Sequence, residues 1–425
     1  MKIDVRKFVI YVLTLTILFQ DTIIKITGIS LLNYMDELFV LALFMIALCR
    51  SRGQIPDFAG RLMAGALLFM LVGIGSCVLF SQYSLGTLMA ASLLAVKFFL
   101  LLSAVIIYRP DEKLIKLFVS AIKFAGIILL ATGIINFCFP AIWVRLLPFT
   151  WIDWRMGLPS VMGLFIHPGQ YGWFMLFAAL LYYGEFKVYR RQKSLLISVL
   201  FIFAAILSLK AKVIVGVGAI LWADTFLLDG KKISRKKLGF FLMALSGGIL
   251  LFGGYLLEAF SKYIIGTTSE VSARYVLLNR SLQILADYFP LGVGFGKFGS
   301  WYARINYSEY YYKYNCTTTY GLFPEDPRFA TDTFWPAILG ETGFIGTFIY
   351  LLILYCIIKK LMASIHHIGK SHFQRLMAVC GFYIIVQALV ESTGEPIFNS
   401  APQNILIGLF VGFGLSVNLR LKASR

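Results

Sequence analysis

Runs of about twenty mostly apolar residues recur along this chain, each long enough to cross roughly 30 Å of hydrocarbon as a helix that satisfies its own backbone. The pattern predicts about twelve spans, at 8–28, 31–48, 62–80, 85–107, 114–139, 161–183, 195–209, 213–228, 238–260, 333–358, 376–389 and 405–417. One hydrophilic island, 261–332, separates the first nine from the last three. The expected architecture is therefore all-α and polytopic. Residues 1–260 carry nine helices, 261–332 form one large, partly helical loop, and 333–425 complete a single integral membrane domain.

Composition agrees with the pattern: 59% of residues are hydrophobic and the mean hydropathy is +0.80, far outside the range of a soluble domain. The formal charge of +18 mostly sets orientation, because basic short loops stay in the cytoplasm. Alternate connections carry it: Lys2, Arg6 and Lys7; Arg50 and Arg52; Arg109 and Lys113; Lys187, Arg190, Arg191 and Lys193. The series continues through Lys231, Lys232, Arg235, Lys236 and Lys237, then Lys359, Lys360, Lys370 and Arg375, and ends with Arg420, Lys422 and Arg425. Both termini are then cytoplasmic and the island is external. A nucleic-acid partner is not expected despite the high pI.

Some positive charge remains on the disfavoured outer face, at Arg145, Arg155, Lys210, Lys212, Arg274, Arg280, Lys297, Arg304 and Arg328. That excess points to an anionic ligand. The six cysteines show no metal spacing, and Cys138 with Cys316 is the pair that could bridge outside. The first hydrophobic segment lacks a small-residue cleavage site and reads as a retained helix.

Candidate chemistry lies on the outer side. Arg155 stands in WIDWRMGLPSVMGLFIHPGQYGW, where Pro148, Pro159 and Pro168 break the helix near tryptophans typical of a membrane interface. Its guanidinium serves either lipid headgroups or bidentate phosphate recognition. His167 is either a polar cap at a helix start or a general base. Lys210 and Lys212 crowd a tight outer turn in LSLKAKVIVGVG, where they must face water, lipid phosphate or a bound anion. Lys97, deep in the fourth span, needs to snorkel or to pair with an acid such as Asp21 or Asp36.

Residues 272–287 have helical periodicity, with Leu278, Leu282 and Leu285 as the expected packed stripe. Arg274 shares that face and Arg280 points away from it. Arg274 then meets an acid such as Glu258 or Glu270, or a ligand phosphate. The following PLGVGFGKF sets Gly292, Gly294 and Gly296 at alternate positions, as a tight turn or as amides cradling an anion. The aromatic residues Trp301, Tyr302, Tyr307 and Tyr311 offer faces and hydroxyl tips suited to sugars, or equally to an interface. Asp332 at the mouth of a span is either a helix cap or a proton acceptor, and Glu341 lies inside the same span.

Four stretches, RMG with FIHPGQYG, LKAKVIVG, RYVLLNRSLQILADYFPLGVGFGKF and TDTFWPAILGETGFIG, resemble in residues and order the O-antigen ligase and polymerase family of bacterial envelope glycosyltransferases. They span much of 155–346. The resemblance implies a GT-C-like fold and glycan transfer from an undecaprenyl-diphosphate carrier at the outer face of the bacterial inner membrane, with neither metal nor cofactor. It further implies that Arg155 and Arg274 hold the diphosphate, with Lys212 as the basic residue of the short turn and Lys210 beside it.

Ligases of the family carry a histidine before the last motif, where this chain has Thr331, Asp332 and Thr333. That departure favours a repeat-unit polymerase, with Asp332 or His167 assisting deprotonation. The partners then expected are undecaprenyl-diphosphate-linked oligosaccharides, membrane lipid and a chain-length regulator. The alternatives are a ligase acting on lipid A-core and, from another class, a lipid-linked oligosaccharide flippase. Related halves with matching broken helices would mark a transporter, and the chain shows neither.

Overall fold

The computed structural model describes residues 5–228, 235–266, 271–367 and 371–416. Lys2, Lys231, Lys232, Lys370, Arg420, Lys422 and Arg425 of the orientation pattern lie outside the described residues, as does Glu270. Each expected span coincides with helix. Helices α1 (Val5–Leu18) and α2 (Gln20–Thr27) form a first span bent by 75°. There follow α3 (Met35–Ser51), α4 (Asp57–Phe80), α5 (Leu85–Tyr108), α6 (Glu112–Cys138), α7 (Pro168–Tyr189), α8 (Gln192–Ile206) and α9 (Ala211–Ala223), which a π-helical turn, Asp224–Leu228, extends to a span of 18 residues. Helix α10 (Arg235–Phe260) precedes the island helix α11 (Ala273–Asp287), and α12 (Trp335–His366), α13 (His372–Glu391) and α14 (Gln403–Ser416) close the chain.

Among the described residues, eight helices are long and apolar enough to cross a membrane, or nine with the bent first pair, as suits an integral multi-pass membrane protein. The expected figure was about twelve. The difference comes from α8 and α14, apolar but only 15 and 14 residues long, and from α7, which at 22 residues is long enough but less apolar than the spans. At 1.5 Å per residue the two short helices reach only about 22 Å. Helix α7 starts at Pro168 rather than at 161, because the residues before it run as loop up to the proline at its first position.

Helices that are apolar all round belong in the middle of a bundle. Accordingly α7, α13 and α14 are buried along most of their length, with the inner half of α5 packed against α14. Helix α10 has no buried residue and stands at the edge. Lys97 of α5 does not snorkel: its ammonium meets Asp36 at 2.5 Å and Glu37 at 2.7 Å on α3. Asp21 instead accepts a hydrogen bond from Gln170.

The island has its own core, in which Val276, Leu277 and Ile284 of α11 pack with Tyr310, Tyr311, Tyr314 and Leu322. The packed stripe is thus Val276, Leu277 and Ile284 rather than Leu278, Leu282 and Leu285, and Leu282 is exposed. The expected stripe keeps helical spacing too, and the aromatic ring of the island decides which side is covered. Cys316 is buried in this core while Cys138 is exposed, and both are free thiols, so the candidate bridge does not form.

Helix α12 breaks at Gly343, whose φ of 62° suits a residue without a side chain. The break opens a seat for the glycine-rich turn: the Val293 and Gly294 amides donate to the carbonyls of Gly340 and Glu341 at 2.9 and 2.8 Å. The Glu341 carboxylate then accepts from the amides of Lys297 and Phe298 and from the Ser300 hydroxyl. The turn does cradle a carboxyl group, but it is the protein's own. Island and bundle are locked together there.

Candidate functional site

Five chain segments converge beneath the island. Arg155 is presented by a short hairpin in which β1 (Trp154–Arg155) pairs with β2 (Leu158–Pro159). Lys210 and Lys212 come from the turn joining α8 to α9, where Leu209 takes a φ of 48°, and both lysines face the same cavity. Arg274 projects from the first turn of α11, whose N-cap Ser272 accepts from the Tyr275 amide. Asp332 stands just before α12. The turn from α13 to α14 brings Glu391 and Glu395.

Arg155, His167, Lys210, Lys212, Arg274 and Asp332 all line one open cavity of about 2060 Å³. Its membrane end is walled by Ile249, Leu256, Leu257 and Phe260 of α10 with Val215 of α9. At its island end stand Asn315, Thr318, Thr319 and Tyr320. Arg280 also lines the cavity, contrary to the expectation that it points away. It does so because the covered face of α11 is turned from the one its leucines suggested.

Each of the four central cations has an acid. Asp153 bridges Arg155 at 3.0 Å and Lys210 at 3.2 Å. Lys212 lies between Glu391, at 2.8 Å, and Glu395. Arg274 meets Asp332 at 3.3 Å rather than Glu258. The belt is therefore balanced, four cations against four carboxylates, while Arg280 and Lys262 add positive charge on the cavity wall.

The environment tunes these groups. Burial, then the charge of Lys210, pushes the His167 imidazole down to about 4. Burial and the neighbouring Arg155 push Lys210 down to about 8. The Asp332 carboxyl is raised by burial against the pull of Arg274. Burial acts against ionisation at Asp153 too, yet Lys210 and Arg155 hold its carboxyl below the usual range.

His167 is the cap at the start of α7: its Nδ1 accepts the Gly169 amide at 3.0 Å. A neutral ring accepting at Nδ1 carries its proton on Nε2, so it faces a ligand as a hydrogen-bond donor rather than as a base. Neither protein-family models nor curated protein sequences match this chain. The case for chemistry therefore rests on its own residues and their geometry.

The four aromatic residues expected to bind glycan are not on the cavity wall. Tyr311 is 1% exposed and its hydroxyl accepts the Gly299 amide. The Tyr307 hydroxyl donates to the Leu322 carbonyl, Tyr302 packs against the bundle core, and Trp301 stands exposed with Arg304 over its ring. Tyr320 lines the cavity instead.

Other participants went unread in the sequence. Glu391 and Glu395 stand four residues apart in VESTGEP, an acidic pair at the end of an apolar span, and that is the pattern that could have found them. Asp153, two residues from Arg155, and Tyr255, whose hydroxyl accepts from Arg155 at 3.0 Å, are the others. Tyr263 lays its ring 4.9 Å from the Arg274 guanidinium. Gly394 lies against Arg274 and Lys212, within van der Waals reach of both side chains.

Proposed function

We propose that this protein is a polysaccharide polymerase, with a GT-C-like arrangement of spans, that joins undecaprenyl-diphosphate-linked repeat units at the periplasmic face of the bacterial inner membrane. The observation carrying this reading is the gathering of Arg155, Lys210, Lys212 and Arg274 on one cavity, between an apolar wall and a hydroxyl-rich rim. These zones match the parts of a lipid-linked sugar diphosphate. The prenyl chain would lie along α10, the diphosphate in the cationic belt, and the sugars against Asn315, Thr318, Thr319 and Tyr320.

In the reaction, an acceptor hydroxyl attacks the anomeric carbon of the donor while the bond from that carbon to the phosphate oxygen breaks. The electron pair leaves on the diphosphate, where fixed cations stabilise the growing charge in a partly dry site. The hydroxyl proton passes to Asp332, the cavity carboxylate whose pKa is raised. His167, as an Nε2 donor, orients a ligand oxygen.

The test is incubation of the purified protein with a defined diphosphate-linked repeat unit. A ladder of products is expected, and Arg274→Ala should abolish it. No glycosidic bond from an intact preparation would overturn the proposal, and movement of substrate across a bilayer without bond formation would replace it with a flippase. In cells, deletion should leave single repeats on lipid A. Bare core with retained carrier-linked polymer would make the enzyme a ligase.

A further inference from the structure

In a belt whose four cations already have acids, a diphosphate is held best where a carboxylate gives way. The four acids are held very differently. Asp153 bridges two cations, and Glu391, fully buried, shares Lys212 with Glu395. Glu395 reaches the cavity wall, but it is tied to both Lys212 and Gln403. Asp332 has one cationic partner, Arg274, at the longest of these separations, and keeps 35% of its side chain exposed.

Arg274 has neighbours besides Asp332. Tyr263 covers it on one side and Gly394 lies close on another. We infer that Asp332 is an exchangeable counter-ion, whose seat on Arg274 is taken by the ligand's phosphate. This deepens the reading of the cavity as a diphosphate site and rests on it.

Once displaced, Asp332 loses its attractive partner and gains two phosphate charges, while Glu395 remains a like charge nearby and Lys212 stays engaged with its own acids. Its affinity for a proton therefore rises on binding. That makes it a better acceptor for a hydroxyl proton only after the donor has arrived. It also couples binding to proton uptake. Affinity is greatest where Asp332 is protonated in the empty cavity, and falls as pH rises from that pKa toward the higher one in the complex.

The experiment uses the full chain in detergent and citronellyl methyl diphosphate, a diester whose two charges are fixed through the neutral range. Wild-type affinity should fall by up to about tenfold per pH unit within that window, the slope of one linked proton. Titration heats in two buffers of different ionisation enthalpy, taken well below the pH of about 8 at which Lys210 discharges, should show proton uptake that Asp332→Asn lacks. Asp332→Asn should bind the diester more tightly than wild type near neutral pH, lose that slope, and make no polymer. Weaker binding by a folded Asp332→Asn, or no proton uptake by wild type, would overturn the exchange while leaving a diphosphate site standing. No binding of the diester by either protein would remove the diphosphate reading itself.

Discussion

At the scale of single residues, the cavity shows how position decides the chemistry of a side chain. His167 is free as a residue type to be base, acid or cap, but its Nδ1 is committed to the Gly169 amide and its pKa is about 4. His167→Asn preserves a cap and should cost less than about tenfold in rate, whereas a lost general base costs about a hundredfold or more. A rate measurement on the folded variant decides between them. Lys210 differs, since its charge disappears as pH rises through about 8. Above that value the empty cavity offers an arriving anion one cation fewer.

Among elements, the contact that positions the island is the best example of local sequence serving distant geometry. Gly292 lets the turn after α11 press against the break in α12, and Gly294 lets it lie against Cys77 of α4, while Glu341 takes two amides and a hydroxyl. Glu341→Ala would strand those buried donors at about 1–3 kcal/mol each. The variant should melt well below wild type, and below Glu341→Gln, which keeps a carbonyl acceptor. Equal melting temperatures for the two variants would show that the carboxylate does not hold the island. Since α11 carries Arg274, loosening this joint should also weaken anion binding.

On the scale of the whole molecule, α5, α7, α13 and α14 form a buried centre, and α10 stands apart as one wall of the cavity. A cavity with a lipid-facing wall suits a substrate whose tail remains in the membrane. The orientation expected from basic loops can be tested in a variant lacking the native cysteines. Tyr320→Cys, at a site 63% exposed on the island, should react in intact cells with a membrane-impermeant maleimide. Lys359→Cys should react only after permeabilisation. The reverse pattern would place the cavity in the cytoplasm and exclude transfer at the outer face.

The sequence by itself determined the all-helical membrane character and the positions of the apolar helices, because both follow from hydrophobic runs that need no tertiary context. It also determined that Arg155, Lys210, Lys212, Arg274, His167 and Asp332 are the polar residues to watch, since charge at membrane depth is costly unless used. Only tertiary structure decided most of the acids that answer those cations: Asp153 is a sequence neighbour of Arg155, but it meets Lys210, as Asp332 meets Arg274 and Glu391 and Glu395 meet Lys212, from segments far apart in the chain. It likewise decided that Tyr311 supports the island while Tyr320 faces the cavity. An aromatic residue's composition is the same in both roles, and packing alone separates them.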